Sequence, residues 1–203
     1  MKWDYWFGPD GVDRRERYVK DFLPEYQING DGVQGAIATV VQVFFAETTI
    51  ELPEGYASGW RPPAVNESTA NAGKASTHLC AQAGDKRDTE DGAFAWWCLR
   101  NIYVLERHSL WMEHPVATVV RAWKTAREQE RAPTPWCHLQ TVPPKSASRV
   151  YWPDAKAFSE WQEFMAAGGY AGMTFATWQA LQEPGLPMIV AEEATVHPKK
   201  KKT

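Results

Sequence analysis

Hydrophobic and polar residues follow two different periods along this chain, and the longer period predicts helices. The run from Gly32 to Glu47 is apolar almost all round and too long for a strand, which indicates a buried central helix. Apolar residues at helical spacing also follow Asp88, a candidate N-cap, up to about Arg107. Between Val12 and Tyr26 the charged sequence predicts a short surface helix.

Shorter runs, bounded by turn-forming residues, predict strands. The clearest is Trp136–Gln140, in which successive side chains point to opposite faces. Further strands are predicted at residues 56–60, 81–86 and 109–113. Three later helices are also expected: one at about residues 115–131 that projects from the domain, one capped by Asp154 and one capped by Thr174.

The length of 203 residues fits one domain, and no internal repeat or long linker divides it. We predict a single domain over residues 1–185, with a helical insertion at about 115–131. After Pro184 the chain is polar and ends in four consecutive lysines, so residues 186–203 are expected to form a disordered basic tail.

Composition and charge exclude several classes of protein. The formal net charge of −3 lacks the basic footprint of a nucleic-acid binder, so no nucleic-acid partner is expected. No segment reaches the roughly 18 apolar residues of a membrane span, and the N-terminus lacks the apolar core of a signal peptide. These features predict synthesis as a soluble cytoplasmic protein without a signal peptide.

Two residue types are unusual in number. The 11 tryptophans indicate a thick aromatic core, although some could line a groove for a sugar or a peptide. The three cysteines, an odd count, argue against a complete disulfide framework and favour reduced, buried thiols.

The candidate chemistry is concentrated between Ser58 and Asp85. His78 and Asp85 lie on either side of a predicted chain reversal, so the carboxylate can return beside the imidazole. A catalytic zinc ion needs three protein ligands and one open position for water. His138, on the clearest predicted strand, is the best candidate for the third ligand.

The order of these residues resembles the M15 family of zinc peptidases. The matching residues are Ser58-Gly59-Trp60-Arg61-Pro62, Asn66, Gly73, then Ser76-x-His78-x-x-Ala81-x-Ala83-x-Asp85, and finally Trp136-x-His138. The family comprises the D-alanyl-D-alanine carboxypeptidases and the L-alanyl-D-glutamate endopeptidases of bacteria and phages. The resemblance covers roughly residues 33–140.

The resemblance implies an α+β fold in which a small antiparallel sheet carries a zinc site and packs against several helices. It implies His78, Asp85 and His138 as the zinc ligands, with Arg61 and Ser76 close to the metal. Arg61 would bind a carboxylate or a developing oxyanion, and Ser76 would donate to the substrate carboxylate. The alternatives are a surface ion pair for Arg61 and a turn hydroxyl for Ser76.

Three positions depart from the family pattern. Ala81 replaces a family glycine, which is a small change where the backbone keeps a negative φ. Pro135 and Gln140 stand at the two positions where different branches of the family place an acid. Because a zinc peptidase needs a carboxylate near the attacking water, Glu113 is the candidate base, on a strand expected beside that of His138. A helix-start carboxylate before Pro115 is the alternative for Glu113.

Cys80 and Cys137 adjoin the proposed ligands, so a structural Cys/His zinc site is a competing hypothesis. Cys137 and His138 point to opposite faces of a strand, and no C-x2-C pair is present, so we expect the thiols to pack behind the sheet.

The sequence thus predicts a zinc metallopeptidase, with Zn²⁺ as cofactor, that cleaves peptidoglycan stem peptides as a carboxypeptidase or an endopeptidase. A monomer is expected, acting at the bacterial cell wall in a phage or prophage context. The alternative is a non-catalytic zinc-binding structural or virion-associated protein that retains the fold, and Pro135 and Gln140 favour it.

Overall fold

The computed structural model describes residues 4–69, 72–169 and 173–182, and within them five short strands form one sheet. The strands are β1 (Tyr56–Ser58), β2 (Ala83–Arg87), β3 (Trp111–Glu113), β4 (Trp136–Gln140) and β5 (Val150–Tyr151). The helices are α1 (Arg14–Arg17), α2 (Pro24–Thr48), α3 (Pro63–Ser68), α4 (Ala93–Arg100), α5 (Ile102–Arg107), α6 (Arg121–Glu128), α7 (Ala155–Ala166) and α8 (Phe175–Leu181). The predicted α+β class is confirmed.

The sheet has the strand order β1-β2-β4-β3-β5. Its first four strands pair antiparallel, whereas β5 pairs parallel to β3, so the sheet is mixed rather than purely antiparallel. Asp85 on β2 lies directly opposite His138 on β4. Met112 on β3 lies opposite Leu139, and the same register brings Glu113 level with His138. The predicted pairing of the Glu113 strand with the His138 strand is thus confirmed.

The long helix α2 packs one face against the sheet. Its buried positions are Gly30, Val33, Ile37, Val40 and Phe44, spaced three to four residues apart. Gly84 of β2 has no side chain, and a Cβ there would lie 3.1 Å from the Ile37 methyl, so the glycine allows this close approach. The predicted core helix is therefore buried on one face only, because Ile28 and Phe45 remain exposed.

The predicted surface helix between Val12 and Tyr26 is wrong over most of its length. Only Arg14–Arg17 is helical, and a new helix begins at Pro24. The proline disfavours helical geometry in the preceding residue, and Leu23 has an extended ψ of 147°. Pro24 itself has the φ that suits a first helical position.

The prediction of a projecting helix near residues 115–131 is also wrong. The chain there forms a π-helical turn, Val116–Val120, that continues into α6. All five residues of the turn are buried, as is Trp123, which packs with Trp178. The apolar face extends through the charged segment, so the helix packs into the core and its residues are exposed only from Arg127 onward.

A buried carboxylate joins β2 to α4. Asp88 was the predicted N-cap, but Gly92 occupies that position and the helix begins at Ala93. The Asp88 carboxylate nevertheless accepts hydrogen bonds from the backbone amides of Phe94 and Ala95, at 2.9 and 2.8 Å. Asp88 lies four residues before the N-cap, yet its carboxylate binds two amides of the first helical turn that have no partner within the helix.

The aromatic residues confirm the core interpretation of the tryptophan content. Among the described residues six tryptophans are buried: Trp6, Trp60, Trp96, Trp97, Trp123 and Trp178. None of the helices within the described residues combines the length and the hydrophobicity needed to cross a membrane. The predicted basic tail, residues 186–203, lies outside the described residues.

Candidate metal centre

Three buried side chains from distant parts of the sequence meet on one face of the sheet. His78 comes from a 3₁₀ turn at Thr77–Cys80, Asp85 from β2 and His138 from β4. The Nε2 atom of His78 lies 3.4 Å from both Asp85 Oδ1 and His138 Nδ1, and the last two atoms are 2.7 Å apart. The three groups could hold a metal ion between them.

The turn that carries His78 is held at both ends. At its start the Ser76 hydroxyl accepts from the His78 amide at 3.4 Å. At its end Ala81 has a φ of +56°, and its amide donates to the His78 carbonyl at 3.2 Å. The condition under which alanine replaces glycine at little cost, a negative φ, is therefore not met at Ala81. A left-handed alanine costs roughly 1–2 kcal/mol relative to a glycine, so this departure from the family pattern is not a small one.

Each histidine uses its second ring nitrogen to bind a protein acceptor. His78 Nδ1 lies 2.7 Å from the Gly59 carbonyl oxygen, and His138 Nε2 lies 3.1 Å from Gln140 Oε1. When these nitrogens carry the protons, His78 Nε2 and His138 Nδ1 are left with lone pairs that face each other and the Asp85 carboxylate. This second layer of hydrogen bonds is characteristic of metal-binding histidines in proteins.

The ionisable groups strongly perturb one another. Burial works against ionisation of Asp85, but His78 and His138 outweigh it and hold the pKa of this carboxyl well below its usual range. Burial alone would lower the pKa of His138, yet the Glu113 and Asp85 carboxylates raise it to about 9. Burial lowers the pKa of His78. In the metal-free protein at neutral pH, a proton on His138 therefore lies between its Nδ1 and Asp85.

Arg61 and Ser76 both lie beside this group. The Arg61 guanidinium is 3.5 Å from Asp85 Oδ2, and its side chain is only 11% exposed, so the ion pair is largely buried rather than on the surface. Arg61 Nε is buried without a hydrogen-bond partner within the described residues. Ser76 is half-buried, and its hydroxyl makes the turn hydrogen bond to His78.

Glu113 approaches the centre from the neighbouring strand. Its side chain is half-buried, and desolvation raises the pKa of its carboxyl. The His138 imidazole lies close enough for its positive charge to favour the Glu113 carboxylate. The Tyr151 side chain of β5 lies beside Glu113, and burial together with the Glu113 charge raises the pKa of Tyr151. A titratable carboxyl with a raised pKa beside a candidate metal site has the properties of a general base.

Cys137 and Cys98 lie on the other side of the sheet from the metal centre. Cys137 and Cys98 are fully buried next to each other, and burial raises the pKa of the Cys137 thiol. Within the described residues the candidate metal group contains no cysteine. Cys137 therefore packs behind the sheet as expected, whereas Cys80 is half-buried in the turn that carries His78.

Sequence reasoning did not find Gly59, Thr77, Gln140 or Tyr151 as parts of the centre. Gln140 was considered only as a missing acid, although it shares a strand face with His138 two residues away, and that alternation could have identified it. Gly59, Thr77 and Tyr151 have no comparable local signal, because their contacts depend on how separate segments pack.

Gly59 is fixed by the segment packed behind it. A Cβ at this position would lie 2.0 Å from the backbone oxygen of Tyr5, and Trp60 donates to that same oxygen at 3.2 Å. Backbone atoms cannot move aside as a flexible side chain can.

We expect Gly59→Ala to lower the free energy of unfolding by about 1–3 kcal/mol in urea titrations and to weaken metal binding by displacing the acceptor of His78. Gly73→Ala, whose Cβ would meet nothing within 4 Å, is the matched control. Equal stability of Gly59→Ala and wild type would contradict this prediction.

Comparison of the chain with protein-family models, curated proteins and solved structures finds no match. The geometry of the centre and the sequence motifs are therefore the basis for inferring its function.

Proposed function

We propose that this protein is a zinc-dependent peptidase that hydrolyses peptide bonds in the stem peptides of bacterial peptidoglycan, as a carboxypeptidase or an endopeptidase. The observation that carries the proposal is the buried group His78, Asp85 and His138, with each imidazole held by a second acceptor. The sequence resemblance to the zinc peptidases supplies the substrate class, and it also supports action at the cell wall in a phage or prophage context.

Zinc suits the donor set and its spacing. Two imidazole nitrogens and one carboxylate oxygen are typical of catalytic zinc sites, which keep the fourth position open. Ligand atoms about 2.0–2.1 Å from a tetrahedral ion lie about 3.3–3.4 Å apart. The His78 Nε2 distances of 3.4 Å match this spacing, while the 2.7 Å contact of His138 with Asp85 must lengthen as the proton between them leaves.

The surrounding side chains have the chemistry that hydrolysis requires. A bound zinc ion would supply a Lewis acid for the scissile carbonyl and for the attacking water, whose pKa it lowers toward about 7. Glu113 takes a proton from that water and transfers it to the leaving amine. Arg61 binds a substrate carboxylate or the developing oxyanion through its fixed charge, and the Ser76 hydroxyl donates to the substrate.

The proposal is tested by zinc content and by hydrolysis together. Purified protein is expected to contain one zinc ion per chain and to release new amino groups from purified peptidoglycan. A chelator should abolish the release and added zinc should restore it, whereas His78→Ala should show neither activity nor restoration. Bound zinc without any release of amino groups would instead establish the non-catalytic alternative, a zinc-binding structural protein.

The pKa of His138 predicts how the metal-free protein responds to pH. Because the folded pKa of about 9 exceeds the ordinary value of 6.5, the folded state keeps a proton that the unfolded chain releases. This stabilisation is complete below pH 6.5 and decreases as the pH rises toward 9, by at most about 1.4 kcal/mol per pH unit. Above pH 8 Lys86, whose pKa burial lowers to about 8, acts in the opposite direction.

We therefore expect urea titrations in the presence of chelator to show falling stability between pH 6.5 and 8. Zinc affinity should rise over the same range, because the ion displaces the proton of His138. Stability that is independent of pH across this window would show that His138 is already neutral. Asp85→Asn, which removes a carboxylate that raises this pKa, should flatten the curve.

A further inference from the structure

The Gln140 side chain is buried beside the metal centre, and both ends of its amide are hydrogen-bonded. Its Oε1 atom accepts from the Tyr151 hydroxyl at 2.7 Å and from the Thr77 hydroxyl at 3.2 Å, and it lies 3.1 Å from His138 Nε2. Its Nε2 atom donates to the backbone carbonyl of Val142. A glutamine with four partners at 4% exposure is held in one position.

The Val142 carbonyl determines which way the amide points. A carbonyl oxygen can only accept, so the end of Gln140 that faces it must be the NH₂ group. Rotating the amide by 180° would place two acceptor oxygens against each other in a buried site. Thr77 and Tyr151 could rotate their hydroxyls to suit either orientation, whereas Val142 could not. Oε1 is therefore the atom that faces the His138 ring.

This orientation in turn determines the tautomer of His138. Because an amide oxygen only accepts, His138 Nε2 must carry a proton and donate it. The other ring nitrogen, Nδ1, shares its proton with Asp85 in the metal-free protein, and once that proton leaves, its lone pair points toward Asp85 and His78. We propose that Gln140 is a positioning residue of the metal centre, which holds His138 in the tautomer and ring orientation that bind the ion. This role depends on the metal site of the proposed function.

A neutral amide has an advantage over a carboxylate at this position. The centre already contains the carboxylates of Asp85 and Glu113, and the Arg61 guanidinium is paired with Asp85. Gln140 fixes the imidazole without adding another negative charge, and it binds the Val142 carbonyl, which a carboxylate would repel. One branch of the zinc peptidases that the sequence resembles has an acid at this position. Gln140 therefore removes a possible base, but it holds the His138 ring in place.

Tyr151 connects this constraint to the proposed base. Its hydroxyl donates to Gln140 Oε1 and lies close enough to Glu113 for the two groups to interact electrostatically. A continuous set of contacts therefore runs from the His138 ring through Gln140 and Tyr151 to Glu113. Removing the Tyr151 hydroxyl should loosen Gln140 while leaving its contacts with His138 and Val142.

The test measures zinc affinity by competition with a chromophoric chelator at pH 7.5. Gln140→Met, which keeps the length of the side chain but has no amide oxygen, is expected to raise the Kd for zinc by about 10–100-fold. Gln140→Glu, which restores an acceptor for His138 Nε2, should stay closer to the wild type than Gln140→Met. Tyr151→Phe should raise the Kd by less than Gln140→Met does.

A spectroscopic measurement separates positioning from a general loss of stability. In ¹⁵N-labelled, zinc-loaded wild type, the long-range ¹H–¹⁵N spectrum should show His138 with the proton on Nε2 and the metal on Nδ1. In Gln140→Met this single pattern should be replaced by exchange broadening or by mixed tautomers. Circular dichroism and urea unfolding of metal-free Gln140→Met show whether this variant is folded. If Gln140→Met does not fold, Gln140→Glu is compared with the wild type by the same measurements.

The outcomes distinguish this role from the proposed function. A wild type that binds no zinc would overturn both. If the wild type binds zinc and Gln140→Met binds it equally tightly with an unchanged His138 signal, only the role of Gln140 is overturned. A raised Kd with a disturbed tautomer in folded Gln140→Met, partly rescued in Gln140→Glu, supports it.

Discussion

Glu113→Gln is expected to lower the kcat for peptide hydrolysis by about 10²–10⁴-fold while zinc remains bound. The amide keeps the size of the side chain, but it cannot take a proton from water. Because Glu113 lies on β3 and is not among the three candidate ligands, the ion should stay in place. The loss should therefore appear in kcat and not in zinc content.

The measurement is release of amino groups from peptidoglycan by zinc-loaded protein over a range of substrate concentrations. Glu128→Gln, an equally conservative change at an exposed position of α6, is the matched control and should keep wild-type activity. If Glu113→Gln retains activity while His78→Ala loses it, the metal mechanism stands and the base is a different group. Loss of zinc from Glu113→Gln would instead indicate that Glu113 is itself a ligand.

Asp85→Asn is expected to weaken zinc binding by more than about 100-fold, beyond what loss of an outer hydrogen bond costs. The substitution keeps the shape of the side chain but removes the only anionic ligand of the group. It also removes the carboxylate that is hydrogen-bonded to His138 and paired with Arg61. Those two cations then lose their buried counterion. Metal-free Asp85→Asn should therefore unfold at a lower urea concentration, with its free energy of unfolding reduced by about 3 kcal/mol.

Chelator competition and urea unfolding of the same preparations check both effects. Asp21→Asn, an exposed aspartate remote from the centre, controls for the change of net charge. A pH titration followed by NMR would give the pKa of His138 in both proteins. This pKa should be lower in Asp85→Asn, because one of the two carboxylates that raise it is gone. Zinc affinity equal to that of the wild type would exclude Asp85 as a ligand and with it the proposed centre.

Local patterns predicted the parts of the site that depend on the backbone alone. The strand Trp136–Gln140 was predicted with its observed bounds, since alternation with a period of two directly reflects the geometry of a strand. The caps Asp154 and Thr174 were predicted correctly, because each accepts from a backbone amide three residues on. The pairing of β3 with β4 was expected only because the chemistry needs a carboxylate beside His138, and the observed register confirms it.

Local patterns failed where the partner of a segment lies far away in the sequence. The charged residues of α6 indicated a projecting helix, yet its apolar face packs against the rest of the core. Likewise, α2 has apolar residues on all sides, and only the position of the sheet decides that Ile37 is buried and Phe45 exposed. Hydrophobicity states what a residue gains by burial, whereas the fold decides which residues are buried.

By itself, the sequence determined the residue types of this centre and the short-range frame that carries them: a turn with His78, a strand with Asp85 and a strand with His138. Only the tertiary structure decided that their ligand atoms meet and that Gly59 and Gln140 hold the two imidazoles. The physical reason is the range of the interactions. Caps and alternation act over a few residues, whereas the His78 bond to Gly59 and the Gln140 bonds to Thr77 and Tyr151 form only after separate segments have packed.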